Sequence, residues 1–584
     1  MQDNRNFILA IALTMAIMLG YQFLYLEPLQ KAEQEKQAAL EAAQPKEGAD
    51  LPTMPASGDL PDINVSGNIP GSNVSPVLDR NELLASRQHI AINAPHLKGS
   101  IPLKGARFDD LTLSDYKETL DENSEDVTLL SPTGTEAAYY ADFGWIGGGK
   151  RPDANTMWQA DRAEISTGGT VNLTWDNGEG LKFTRTISLD ENYMFTISQK
   201  VENTGAEAVT IAPYGRIFRK GRPETQALYI LHEGPLWVME EGKEEYTYSD
   251  LEDEDKLKSE SSSGGWVGIT DKYWLVALVP DQKKKFKAEM FRKEVAGGEQ
   301  FHTNFTMNGQ SLQPGKTIEQ TSRLFAGAKK VDLLDDYTDR LGIKLFNYAI
   351  DWGMFDFLTK PIFKLLDFFF GLVGNFGVAI LLLTAVMKLV LFPMANKQYK
   401  SMNKMKALQP KIQALKERHG DDRMKLQQAQ MELFKKEKAN PAAGCLPIFI
   451  QFPVFFALYK VLYVTIDMRH APFFGWVQDL SAPDTMLVTN LFGLIPWEPT
   501  GFLAIGILPI FMGFTMWLQM QMAPAGGDPM QRKIMMFMPI IFTFMMAQFS
   551  VGLVIYWTFS NVWGIIQQWY LMRRADIPVV NEKV

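Results

Sequence analysis

Residues 375–393 read NFGVAILLLTAVMKLVLFP, nineteen residues apolar enough for lipid. At about 1.5 Å per helical residue they come close to the roughly 30 Å of a hydrocarbon core. No stretch constrains the chain more, because it also contains Lys388. Thr384 stands one helical turn earlier, so hydroxyl and ammonium share a face. An ammonium within a membrane span is expensive and marks a functional site by default. A second reading is snorkelling: in a span of 373–395 the amine lies ~6 Å past the centre, within its reach of the headgroups. On this helix alone the two readings stand level, and the rest of the chain must decide.

Other apolar runs build a polytopic α-helical membrane bundle. Residues 1–26 have a polar head with Arg5, then an apolar run from Phe7 to Leu26 that ends bulky and aromatic, as an uncleaved signal anchor does. Residues 27–79 turn to Ala/Glu/Gln and then Pro/Gly/Ser/Asn, a flexible tether. Further spans are expected at 445–466, 501–522, 534–549 and 551–572, which with 373–395 form a five-span core. Residues 397–441 carry twelve Lys and Arg against five Asp and Glu. Short and flanked by spans, this segment belongs in the cytoplasm by the positive-inside rule. Its Met402, Met405, Leu408, Ile412 and Leu415 repeat at helical spacing. Gly420-Asp421-Asp422 makes a capped turn before a second helix, which predicts a helical hairpin, with a charged, solvated loop as the alternative. Residues 467–500 hold Arg469 as their only cation and belong on the far side. The expectation is six spans with both termini inside, a short tail at 573–584, and residues 80–330 outside, in the periplasm of a bacterium.

Residues 80–330 read as one all-β domain. Leu181, Phe183, Ile187 and Leu189 alternate with polar neighbours, and Tyr193, Phe195, Ile197 and Val201 resume the period after Asp190-Glu191-Asn192, a hairpin with one buried face. Frequent turn signals favour a many-stranded sandwich. Residues 240–260 hold ten acids against three lysines and read as a solvated loop without metal-ligand spacing. Residues 331–372 are amphipathic and aromatic, suited to interfacial helices.

Several chemistries drop out. One cysteine, Cys445, permits no intramolecular disulfide, and the net charge of −9 without a nucleic-acid motif argues against nucleic acid as the main partner. Residues 144–150 imitate the start of a phosphate loop, but Arg151 stands where Ser or Thr must hold magnesium. No metalloprotease or serine-hydrolase signature occurs, and His232-Glu233 is an isolated pair that a surface turn explains as well as catalysis does. No cofactor or metal is expected, and no enzyme activity. Gln451, Gln519, Gln548, Asn561, Gln567 and Gln568 fall in or at the ends of the spans. Each suits helix–helix glue, and as a set with Thr384 and Lys388 they suggest a wet cavity. Tyr556 and Trp557 present amphipathic rings on the last span, for contact or for plain packing.

The runs 374–393, YKSMNKMKALQP, NPAAGCLPIFIQFPVFFALY, DPMQRKIMMFMP and 552–568 resemble, in order, the YidC-type membrane protein insertases related to Oxa and Alb. The anchor and outer β-domain resemble the Gram-negative branch, whose periplasmic supersandwich is similar to galactose mutarotases. The resemblance implies an inner-membrane insertase and chaperone for nascent membrane proteins, working alone or with the Sec translocon. It further implies transient ribosome contact and a hydrophilic groove open to cytoplasm and lipid. The family's groove cation is commonly arginine; Lys388 holds that position here. Thr384 matches a groove position and Trp557 a substrate-contacting aromatic. Gln451 and Tyr556 are expected beside them, and the hairpin, with Lys404, Lys406, Lys411 and Arg418, matches an essential cytoplasmic element. The competing class is a transporter or channel using Lys388 as a solute or proton site; inverted repeats would favour it, and none are seen.

Overall fold

The computed structural model describes residues 79–574, apart from 224–230, 253–256, 296–297, 354, 420–421, 438–445, 498 and 523–528. The expected anchor at 1–26, nearly all of the tether and the last ten residues lie outside the described residues.

Alternation of apolar and polar side chains builds the outer part, as residues 181–203 illustrate. Strands Leu181–Leu189 and Met194–Asn203 pair antiparallel, Ile197 opposite Ile187 and Val201 opposite Phe183, and every second residue is buried. These strands sit within a nine-stranded sheet, where Met194–Asn203 also pairs with Thr317–Ala328. A six-stranded sheet is centred on Val209–Lys220, Gly298–Met307 and Lys285–Val295. The two sheets face each other, with Trp274–Val279 packed on Val209–Lys220 and Trp266–Thr270 on Gly298–Met307. A five-stranded sheet built on His89–Asn93 and Leu97–Pro102 completes the sandwich. Trp237, Trp266, Phe183, Phe195, Phe305 and Phe325 are among the side chains that fill the core.

The acidic run departs from expectation. It is no open loop: it contains strands Gly242–Glu245 and Lys258–Ser263 and a 3-10 turn, Tyr248–Leu251. Thr247 and Asp250 cap that turn reciprocally, while Tyr248 and Leu251 are buried beneath it. Both strands are sheet edges, where outward charges keep unpaired backbone from recruiting another chain.

Helix α1 is the short Arg80–Ala85, and α2, Val331–Arg340, follows the last strand. It buries Val331, Leu334 and Tyr337, with the Tyr337 hydroxyl donating to Asp190 Oδ2. Then come α3 (Asp356–Val373), α4 (Phe376–Val390), α5 (Phe392–His419), α6 (Arg423–Lys436), α7 (Leu446–Val464), α8 (Ile507–Met522), α9 (Pro529–Met546) and α10 (Val551–Arg574). α5 and α6 form the expected hairpin, with Asp422 capping α6 through Lys425 N and Lys411 Nζ 2.8 Å from Glu437 Oε1.

The helices differ from the expected spans at their ends. The run 373–395 is cut twice, at Gly374, which closes α3 in the left-handed conformation, and at Leu391. Pro393 then starts α5, since a first-turn proline loses no hydrogen bond. α7 stops at Val464, where the Thr465 hydroxyl bonds back to Val461 O at 2.7 Å. Residues 501–506 are not α-helical; only Gly501–Leu503 makes a 3-10 turn before α8. α9 begins early, at the favourable first-turn Pro529, and ends at Met546 rather than 549. Among the described residues, no helix is long and apolar enough to cross a membrane. The fifteen residues of α4 rise about 22 Å, short of the roughly 30 Å expected of the run.

Sheets and helices share one apolar cluster, from Ile90 through Phe346 to Tyr556. Polar contacts reinforce the junction. Arg469 Nη2, just past α7, donates to Lys117 O at 2.6 Å and Glu118 O at 3.2 Å, and Lys272 Nζ lies 3.9 Å over the Tyr463 ring. Lys460, a second lysine in an apolar helix, pairs with Asp351 at 2.6 Å.

Lys460 and Asp351 are 12% and 20% exposed, so removing either charge strands the other in a poorly hydrated place. Lys460→Met should destabilise the purified protein by about 3 kcal/mol in thermal unfolding, with the double replacement Asp351→Leu/Lys460→Met recovering most of it. A single-variant loss under ~0.5 kcal/mol would reject the pair as a clamp. Burial pushes the Asp351 carboxyl up, but Lys460 beside it holds it below the ordinary range. A carboxyl depressed in the folded state stabilises above its unfolded pKa near 4. That contribution fades as pH falls through the folded value.

Candidate functional site

The site is laid out by α4. Asn375 caps its start, accepting from Val378 N at 3.0 Å and donating from Nδ2 to Pro472 O and Phe473 O at 3.4 Å. That fixes the helix to the loop beyond α7. The glycine following allows close approach: a Cβ at Gly377 would stand 2.0 Å from the Phe473 ring. Phe370 and Phe376 stack at 3.7 Å across the α3–α4 turn, and α10 packs on α4 near Gly552, beside Ile380.

Along α4 the predicted pair separates in character. Thr384 is buried, and its hydroxyl donates to Ile380 O at 2.7 Å, so its proton is spent within the helix. Lys388, one turn on, is half-buried and has no ion-pair partner among the described residues. It stands in the last turn of α4, where the helix C-terminal dipole favours a cation.

On α10, Tyr556 is buried and Trp557 half-buried. The indole meets Phe455 of α7 edge-on at 4.8 Å and Phe542 of α9 at 5.5 Å. These two contacts tie α10 to α7 and α9. Gln451 lies on α7, its side chain outside the described residues. Lys404, Lys411 and Arg418 are exposed on α5; the Lys406 side chain is likewise undescribed.

The remaining polar residues divide. Asn561 Nδ2 donates to Thr515 Oγ1 at 3.2 Å and Gln568 Nε2 to Met522 O at 2.6 Å, both joining α10 to α8, and Gln519 packs against Gly564. These contacts join helix to helix. Gln567 Nε2 is buried with no partner among the described residues. The His232-Glu233 pair leads into strand Gly234–Met239: His232 Nε2 lies 3.1 Å from Pro235 O, and Glu233 Oε1 accepts from Lys272 N at 2.9 Å. Sequence reasoning missed Lys460, although a lysine amid Phe455, Leu458 and Val461 was as visible as Lys388. Among the described residues no cluster of His, Cys, Asp and Glu could hold a metal.

Comparison with known proteins follows the same division. The family described as YidC periplasmic domain matches residues 89–365, and that described as 60Kd inner membrane protein matches 368–578. The membrane protein insertase YidC of Sinorhizobium medicae is 49% identical, over 99% of this chain and 97% of its own length. That of Methylorubrum extorquens is 46% identical, over 99% and 96%. A crystal structure described as an active YidC insertase with its first transmembrane domain resolved aligns with a TM-score of 0.34 at 18% identity, covering 83% of this chain and 92% of that one. With near-full-length identities of this size to named insertases, this chain belongs to the YidC family of membrane protein insertases.

Proposed function

We propose that this inner-membrane insertase moves the polar flank of a nascent membrane protein past Lys388 while the apolar part of the client slides out into lipid. The observation that carries the reading is an amine half-buried in an apolar helix with no acid beside it among the described residues. Structural ion pairs do not leave a cation in that condition; a cation kept for a passing anionic group does. A nascent span gains free energy on entering lipid, and its short hydrophilic flank opposes crossing. A hydrated recess ending near Lys388 shortens that crossing and requires no nucleotide.

For the topology we propose six spans with both termini in the cytoplasm. α4 and the apolar start of α5 complete one crossing together, bent at Leu391, and residues 1–26 supply the anchor of the periplasmic supersandwich domain at 80–330. Contact of Arg469 with backbone oxygens of the outer domain supports placing residues 467–500 on the domain's side. α3 lies in the outer interface. Exposed Lys404, Lys411 and Arg418 suit contact with ribosomes or incoming chains, and the Sec translocon is a partner for larger clients.

Purified protein in liposomes, offered a small single-span client without ATP or Sec, should insert it to a protease-protected form. Solute flux through the same liposomes with no insertion would favour the transporter reading instead.

A further inference from the structure

Deep in the outer domain lies a group of cations for which insertion has no use. Arg107, Arg185 and Arg216 line a largely enclosed cavity of about 20 Å3 together with Asp142, Asp153 and Tyr214. Arg216 and Asp142 satisfy each other, Nε donating to Oδ1 at 2.9 Å and Nη2 to Oδ2 at 2.7 Å. The other two arginines have no such counterpart. Arg185 is 2% exposed; it donates Nη1 to Ala106 O at 2.8 Å and Nη2 to Phe143 O, and lies 5.0 Å from the Trp158 ring centre. Its Nε is buried with no acceptor among the described residues. Arg107 is 8% exposed, rests 5.0 Å over the Tyr140 ring, and makes neither hydrogen bond nor ion pair among the described residues.

Nearby carboxylates do not close the balance. Asp109 is held by Arg87, whose Nη1 donates to Oδ2 at 2.9 Å. Asp153 is exposed at the rim, and its Oδ1 already accepts from Asn155 N at 2.8 Å and Thr156 Oγ1 at 3.0 Å. Three guanidiniums therefore face two carboxylates, and one of those is wet. Burial draws the Arg185 pKa down to about 10, which still leaves it charged at neutral pH. An uncompensated buried charge is strongly unfavourable unless a counter-ion comes to it. A cavity of this size accepts one particle about as large as a water molecule. Water would fill it and accept from Arg185 Nε, but would neutralise nothing; sulfate and phosphate are too large.

We propose that the cavity between Arg107, Arg185 and Arg216 binds one small monovalent anion, a halide, which completes the charge balance of the outer domain. The test uses the full chain in detergent micelles at fixed ionic strength, with bromide exchanged for gluconate. The thermal midpoint should rise saturably, by about 3 °C at ten times Kd, and sulfate should not reproduce the rise. Asp153→Asn removes an opposing charge at the exposed rim and should lower the half-saturating bromide concentration about threefold. Arg107→Gln should abolish the response; should that variant fail to fold, Asp153→Asn alone decides. Coincident midpoints in gluconate and bromide, an equal rise with sulfate, or an Asp153→Asn variant titrating like the parent would each overturn the assignment.

Discussion

Lys388→Glu should reduce insertion of clients with acidic flanks at least about tenfold, while Lys388→Arg retains the parent rate. The size follows from Coulomb's law. A unit charge about 10 Å away in a medium of effective dielectric near 20 interacts by about 1.7 kcal/mol, and reversing its sign doubles the difference. Clients with neutral flanks should lose far less, because only differential interaction with the passing charge is at stake. Arginine is a stricter replacement than it looks: it stays charged where a desolvated lysine gives up its proton, and its fork holds a carboxylate in two places. Rates measured with acidic and neutral clients in the same liposomes separate the effects. Equal insertion by parent, Arg and Glu variants would reject an electrostatic role.

Removing 397–438 should abolish growth support on depletion of the chromosomal copy, yet leave the protein in the membrane at parent abundance. α5 and α6 are bound chiefly to each other, through Lys411–Glu437 and their packed faces, and α5 makes only slight contacts with α4, α7 and α10. Leu408 is buried, whereas Lys404, Lys411 and Arg418 point to water. A projection so loosely tied to the bundle should be dispensable for folding. Growth at the parent rate would remove the hairpin from the mechanism; disappearance of the protein would make its role one of stability.

What the sequence disclosed depended on the physics involved. Strands 181–203 were legible because one face is buried and the period of two is strict. The hairpin was legible because Asp422 is a strong local cap. Helix ends in apolar runs were less so: Pro393 is the one signal of the break at Leu391, set in a run apolar enough to read as a single span, and residues 501–506 are as apolar as a helix while being none. Charge misled at 240–260, where the acidic run forms edge strands of two sheets, one folded back on its neighbour Gly234–Met239 and the other paired with the later Lys285–Val295. The site was half legible. Lys388 stood out by its chemistry, whereas Thr384, Asn561 and Trp557 needed coordinates to show which partner each had taken. Arg107 and Arg185 could not have been found at all, since ordinary arginines become a cluster only when strands far apart close over them.

Among the described residues, Arg469 and Lys272 fasten the bundle to the sandwich at the end of α7, and Lys460 ties α7 to the segment that follows the sandwich. Helices gripped at one end behave like tines of a fork. When the surrounding lipid thins or a client wedges in, the handle stays still and displacement grows toward the free tips. On the membrane orientation proposed above, the ends that carry Lys388 and the hairpin are the inner ones and should travel furthest, with the heavy outer lobe as the anvil against which they flex.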